Sequence, residues 1–535
     1  MTDTSARWKL GAALACAAMG AAWLVLPAAQ GADEKKDKEE EAPRELKWRP
    51  KGKKPNSPKA YYAVESCAGC CHGDGKPLPF TKGKALCRCD ESTRWKQEDR
   101  HGYAFKALTE PRGTAMGELL SYGKDPKTWD KCITCHAVKI DKGADTFVSD
   151  DFKLEDGVSC VACHGEYTKW FENHQLESKW KKFRPLPREE KWKEHGMRDL
   201  WDPAERAKLC ASCHVGNQEE GKFVTHDMYA AGHPPLPSLE MGAYTRGMKY
   251  HWQYLREKNP KVAAEQGYKG TKDKKDDLEE IQVVLVGAAV SLREAMALLI
   301  QAPLDEGALD WSHFDCQACH HDLKSPSWRQ EAYKGRKVKP GRVAYKGWSP
   351  ELVRLAIAAL DDGDKQKEQF EKRLAALQAA FTKKAFGDIA KVREAANSLG
   401  EFANEVAVAL NRPKKHFTAT EAKALLKKYP TVFETKTRLF DFDSSRQIAW
   451  SFLTIHDELH DVEALEGGKD AIAKVRKELN DALRLDMTKM VKVDGKEEYR
   501  LEQLEVGYKE KAERAAAHDG KAARKLLEKL WPFAE

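Results

Sequence analysis

Long apolar runs are scarce in this chain of 535 residues. That excludes a bundle of membrane-spanning helices: past the N-terminal run Leu10–Gln30, no segment is expected to cross a bilayer. No sign of charge dominates either. A third of the residues are charged, yet the net charge is only +7, so no one-signed field marks nucleic acid or acidic lipid as the main partner. Cysteine is absent beyond Cys319, which confines any thiol chemistry to the front of the chain. The stretch Asp33–Lys59 holds Lys, Glu and Pro with almost nothing to bury, and reads as a solvated tether.

What is present is unevenly spread. Arg7 and Lys9 precede the uncharged N-terminal run, and small residues surround Ala29, Gly31 and Ala32. This is the pattern of an export signal over 1–31, cleaved near Gly31, with a charged linker over 32–59. The competing reading is an uncleaved anchor, which would tether the chain to a membrane through this segment alone. Residues 60–330 are poor in long periodic stretches and rich in Cys, His, Gly, Pro and Trp. Within them, Ile281–Ile300 reads as an apolar helix, buried rather than membranous because Arg293 and Glu294 divide it, and Glu257–Glu279 reads as an exposed excursion.

Residues 348–535 turn to helical periodicity. Ser349, Pro350 and Glu351 form a helix start with a capping hydroxyl. Phe370, Leu374, Leu377 and Phe381 share a helix face, as do Ile389, Val392, Leu399, Phe402, Val406 and Leu410. Gly363, Pro413 and Pro430 separate the segments, and Thr418 with Glu421 resembles a capping box. The expected class is mainly α with few strands, closed by an antiparallel helical bundle.

Thirteen of the fourteen cysteines lie between Cys67 and Cys319. Four segments read Cys-x-x-Cys-His without blemish: Cys132 to His136, Cys160 to His164, Cys210 to His214 and Cys316 to His320. At this chain's Cys and His frequencies about 0.01 such matches would arise by chance, so four are a signature, that of covalent haem c attachment. The spacing lets two thiols reach the two vinyl groups on one porphyrin edge while the next residue's imidazole meets the iron. For a lone copy the competing reading is a redox pair or half a zinc site. Repetition behind an export signal removes that ambiguity, and four haems are the minimum.

A fifth segment, Cys67-Ala-Gly-Cys-Cys71-His72, is irregular. Its attachment pair is Cys67 and Cys71, with three residues between them and His72 on the iron, which brings the expected count to five. Cys70, Cys87 and Cys89 are left over, and an exported setting permits a disulfide from Cys70 to either of the others. The rival arrangement is a zinc-like site of Cys67, Cys70, Cys87 and Cys89.

Each iron needs a ligand on its far side. His101, His174, His226 and His233 are the candidates, and His251, His313 and His321 remain for the last iron. A helix running to Gly232 would set His226 and His233 on one side about 10.5 Å apart, a separation suited to two neighbouring haems. Met197, Met228, Met241 and Met248 read as packing rather than ligands. His456 and His460 read as a solvated helix face, with a metal pair as the alternative.

Together, the Asp99-Arg-His101 stretch, the run Asp156–Gly165, Trp170 with His174, and Cys210–Gly216 leading to Ala230–Pro235 resemble the cytochrome c-554 family of multihaem electron carriers, related more distantly to hydroxylamine-oxidoreductase-like proteins. The resemblance covers roughly residues 60 to 250 and implies a mainly helical fold with haems in close pairs. It also implies His174 opposite His72, His101 opposite His164, and His226 or His233 opposite His214, with the His136 iron five-coordinate. The lengthened first motif, the Cys316 motif and the tail from Trp348 depart from it.

The expected function is electron transfer between periplasmic or membrane redox partner proteins, with no part for nucleic acid. The alternative is an oxidoreductase acting on nitric oxide or hydroxylamine at an open His136 iron.

Overall fold

The computed structural model describes residues 46, 48 and 54–534. Excepted within that span are 74, 77–86, 142, 144, 249–250, 253–259, 266–273, 306, 322, 324, 328–329, 331–338, 340, 413–415, 435–437, 466–468, 487–490, 494–495, 499–508 and 510–511. The export signal, most of the tether, much of the 257–279 stretch, Pro413 and the side chains of Cys70, Cys71 and Ser349 therefore lie outside the described residues. Pro43–Glu535 is one compact unit.

The chain is mainly helical, and its sheets among the described residues are three two-stranded pairs. One of them joins distant segments: Ala60–Tyr61 runs parallel to Phe147–Val148. Residues 60–200 hold only small apolar clusters. Phe105, Leu108, Trp129, Ile133 and Ala137 form one, and Tyr167, Trp170, Phe171 and Phe183 another. The large core lies further on, around helix Glu280–Gln301.

That helix is the keel of the unit. By length and composition it could cross a membrane, contrary to the sequence expectation, but 94% of its apolar window is buried inside the protein. Its closest packing is against helix Ile389–Leu410, and next against helix Pro203–His214, which carries the Cys210 motif. One element therefore joins the cysteine-rich region to the C-terminal helices. Arg293, the expected interruption, turns aside to Glu294 and Asn404 at 2.8 and 3.0 Å.

Helix Gly363–Lys383 buries Phe370, Leu374, Leu377 and Phe381, one helix face as periodicity requires. The Thr418–Glu421 capping box forms. Three local expectations fail. Helix Trp348–Ala358 starts with Gly347 at its N-cap rather than Ser349. Pro430 sits inside helix Ala419–Val432 instead of ending it; near the C-terminus, packing of Tyr429 and Phe433 outweighs one lost backbone bond. His456 is buried, its ring stacked on Phe452 at 6.3 Å, rather than on a solvated face.

Candidate functional site

Three of the flawless motifs occupy helix ends: Asp130–His136, Cys160–His164 and Pro203–His214. A helical turn brings cysteines three apart to one side and leaves the following histidine free to swing beneath them. Asp202 fixes the start of the third helix, accepting from the Ala204 and Glu205 N–H groups at 2.8 and 3.0 Å, and Pro203 fills its first position. Gly165 follows His164 at φ +112°, and a Cβ there would sit 2.1 Å from the Gly196 carbonyl oxygen. Only glycine lets the chain leave that motif.

The irregular first motif folds differently. Ala68–His72 is a π-helical turn continuing helix Val64–Cys67. A wider turn takes up one extra residue, which is what three residues between Cys67 and Cys71 require.

The motifs surround a cavity of about 3150 Å³, several times the roughly 300–1,000 Å³ of an ordinary ligand pocket. Eight of the nine histidines that line it stand as four facing pairs. His72 and His174 have ring centres 5.9 Å apart and nearly parallel. His136 faces His233 at 6.3 Å, His101 faces His214 at 6.3 Å, and His164 faces His251 at 6.5 Å, each pair near perpendicular. Two imidazoles holding one metal ion from opposite sides, each nitrogen about 2 Å from it, place their ring centres about 6 Å apart. All four separations suit a haem iron, and the cavity has room for the macrocycles.

The ring nitrogens are oriented. Nδ1 of His72 pairs with Glu91 Oε2 at 2.8 Å, and Nδ1 of His101 with Asp99 Oδ1 at 2.9 Å. His136 and His233 direct Nδ1 to the carbonyls of Ala104 and Pro234, both at 2.8 Å. Each such bond fixes the tautomer and leaves Nε2 for a metal. Burial holds His164 down to about 3, and His174, His214 and His233 down to about 4, so these rings are neutral and ready to ligate. Burial also pulls His101 down, but Asp99 more than offsets it and the value is raised.

The thiols pair as well. Cys67 hydrogen-bonds Cys160 and Cys135 hydrogen-bonds Cys213, which sets the first motif beside the third and the second beside the fourth. Cys132, Cys163 and Cys210 line the same cavity. Cys87 and Cys89 stand 3.5 Å apart, and Cys87 lies with His72 and Glu91 in a group that could hold a metal ion. Cys67, a member of the rival four-sulfur arrangement, lies against Cys160, and the Cys70 side chain falls outside the described residues.

These pairings correct the ones implied by the resemblance. His174 does face His72, but His101 faces His214 rather than His164. His233 faces His136, whose iron was expected to be open. His251, considered only for the last iron, faces His164. His226 is not in the cavity. Its helix, His226–Ala230, ends before Gly232, so the shared helix face does not exist. Its N–H donates to Asp310 Oδ1 at 3.0 Å, and its ring meets Trp311 at 5.2 Å, just ahead of the Cys316 motif.

That last motif stands apart, on a 3-10 turn with Cys316 and Cys319 exposed, near the exposed rings of Trp311 and Phe386. His313 is buried and stacked on Phe223 at 5.0 Å. Met228 and Met241 are buried packing residues, as expected. Glu91 was missed by sequence reasoning. Its only signal was a carboxylate soon after the motif, which many solvated segments share.

A mainly helical fold with buried, oriented imidazoles beside Cys-x-x-Cys-His segments defines a c-type cytochrome, with haem c as cofactor and electron transfer as its function. Residues 85–165 match the family described as cytochrome c554 and c-prime, and this stretch, with its first two flawless motifs, belongs to the cytochrome c-554 family. No curated protein and no solved structure matches the chain.

Proposed function

We propose that the protein is an exported, periplasmic multihaem carrier that takes electrons from one redox partner protein and delivers them to another. The observation that carries this reading is the set of four histidine pairs, with ring centres 5.9–6.5 Å apart, around one cavity. The pairs His72/His174, His136/His233, His164/His251 and His214/His101 hold four irons, and Cys67 with Cys71, Cys132 with Cys135, Cys160 with Cys163 and Cys210 with Cys213 hold the porphyrins. Cys316, Cys319 and His320 hold a fifth haem at the surface. Haem bound at these places supplies one-electron exchange at its iron.

The chain's own work is to position and to insulate. Asp99 and Glu91 fix the rings they touch and raise their basicity, which favours the oxidised metal. The closeness of Cys67 to Cys160 and of Cys135 to Cys213 brings attachment edges side by side. A surface fifth motif gives partners a point of access. Because His233 supplies a second imidazole to the His136 pair, this pocket lends no support to nitric oxide or hydroxylamine chemistry there.

Intact-mass measurement of protein from a host able to mature c-type cytochromes tests the reading. Five covalent haems are expected. Cys71→Ala should weaken or abolish the double attachment of one haem, while Cys70→Ala should leave the mass unchanged apart from the substitution. Haem extracted intact by acidified acetone from every site would overturn the account.

A further inference from the structure

Sequence reading places no cofactor on the C-terminal helices, yet they form part of the cavity wall. Arg446, Trp450 and Thr454 of helix Phe442–Asp461, and Arg476 of helix Lys469–Leu483, all line it. Arg446 is the group that helix packing alone does not explain. Its side chain is 0% exposed. Nη2 donates to the Arg484 carbonyl at 3.0 Å and Nη1 faces only the Asp443 carboxylate, while Nε makes no hydrogen bond among the described residues. The carboxylate paired with it, Asp443, stands 3.5 Å from Nη1, is 29% exposed, and leaves its own Oδ1 without a hydrogen bond. A fully buried guanidinium with Nε unmet and Nη1 held only at 3.5 Å by a partly exposed carboxylate is poorly compensated, and a second anion would complete its partners.

The location narrows that anion's identity. The Arg446 guanidinium lies over the Trp450 ring, 4.2 Å from its centre. Trp450 meets the Tyr244 ring at 6.2 Å, and Tyr244 meets the His214 imidazole edge-on at 5.1 Å. Two aromatic steps therefore separate Arg446 from the histidine of the Cys210 motif. Haem c carries two propionate carboxylates on the edge remote from its thioether bonds, and a guanidinium is the side chain best suited to bind a carboxylate away from water.

We propose that Arg446 holds a propionate carboxylate of the haem gripped by His214 and His101, which makes the C-terminal helices part of the cofactor site. This rests on the haem positions proposed above. Arg446 is a positioning residue: it touches the cofactor's rim, and its charge favours the reduced iron.

The test uses full-length holoprotein and spectroelectrochemical titration of every haem. Arg446→Gln should move one midpoint potential downward, and Arg446→Lys should restore most of it. Asp443→Asn, at a partly exposed position, should move the same haem upward because it strips a competing negative charge. Unmoved potentials in Arg446→Gln with a full haem count would overturn the proposal. If Arg446→Gln does not fold, Asp443→Asn decides, and no upward shift overturns it. A missing haem in the unsubstituted protein would instead defeat the reading on which this one rests.

Discussion

At the scale of single residues, the site depends on which imidazole meets which. His233 is the sharpest case. Its Nδ1 is tied to its neighbour's carbonyl at 2.8 Å, and its ring stands 6.3 Å from His136, so in the proposed arrangement it takes the side of that iron expected to be open. His233→Ala should leave one more iron with a single histidine, raising the high-spin absorbance fraction and the nitric oxide bound by one haem equivalent over the unsubstituted protein. Unchanged spectra would remove His233 from the ligand set. The attaching histidines were legible in the sequence because two thiols announce each of them. Of the facing histidines, His101, His174 and His233 were candidates in the sequence, but which motif each would meet was legible only for His174, because a distal histidine's partner is specified by the chain's path through space. His251 shows this most plainly: it lies 87 positions beyond His164 in the chain and meets it across the cavity at 6.5 Å.

At the scale of elements, legibility followed periodicity. Helix Gly363–Lys383 and helix Ile389–Leu410 bury the faces their apolar spacing predicts, since a stripe every three to four residues has no other stable use. The π-turn at Ala68–His72 was invisible, because one added residue has no signature beyond the motif it lengthens. The start of helix Glu280–Gln301 was hidden for another reason: it is secured from far along the chain. Glu458 accepts from the N–H groups of Glu279 and Glu280 at 2.7 Å and of Ile281 at 2.8 Å. Glu458→Ala would orphan these donors in a buried place and should cost roughly 2–3 kcal/mol in denaturant unfolding.

The same carboxyl also predicts a pH dependence. Burial and the nearby Glu280 push it from 4.5 to about 8, against the pull of the backbone donors. With the folded value above the unfolded one, the folded state keeps a proton that the unfolded state has lost between those limits. Stability should therefore fall as pH rises across that window, and Glu458→Gln should flatten the slope. An equal slope in the variant would assign the dependence to other groups.

At the scale of the whole molecule, the front of the chain is built around cofactor and the back around side chains, yet the two are not separable. Helix Glu280–Gln301 packs on both the Cys210-motif helix and the C-terminal helices. Its residues from Ile281 to Ile300 are almost entirely buried, with Arg293 the exception. A chain ending before Trp348 would uncover that helix along the face now covered by helix Ile389–Leu410, and would open the cavity wall that holds Arg446 and Trp450. An exposed apolar face of this length drives association. Such a truncated protein should therefore aggregate or enter membrane fractions, and any soluble portion should show perturbed spectra for the haem held by His214. A soluble, monomeric truncation with the full set of unperturbed haem spectra would show instead that the tail is an independent module, and that the shared keel is a contact of convenience rather than a condition of folding.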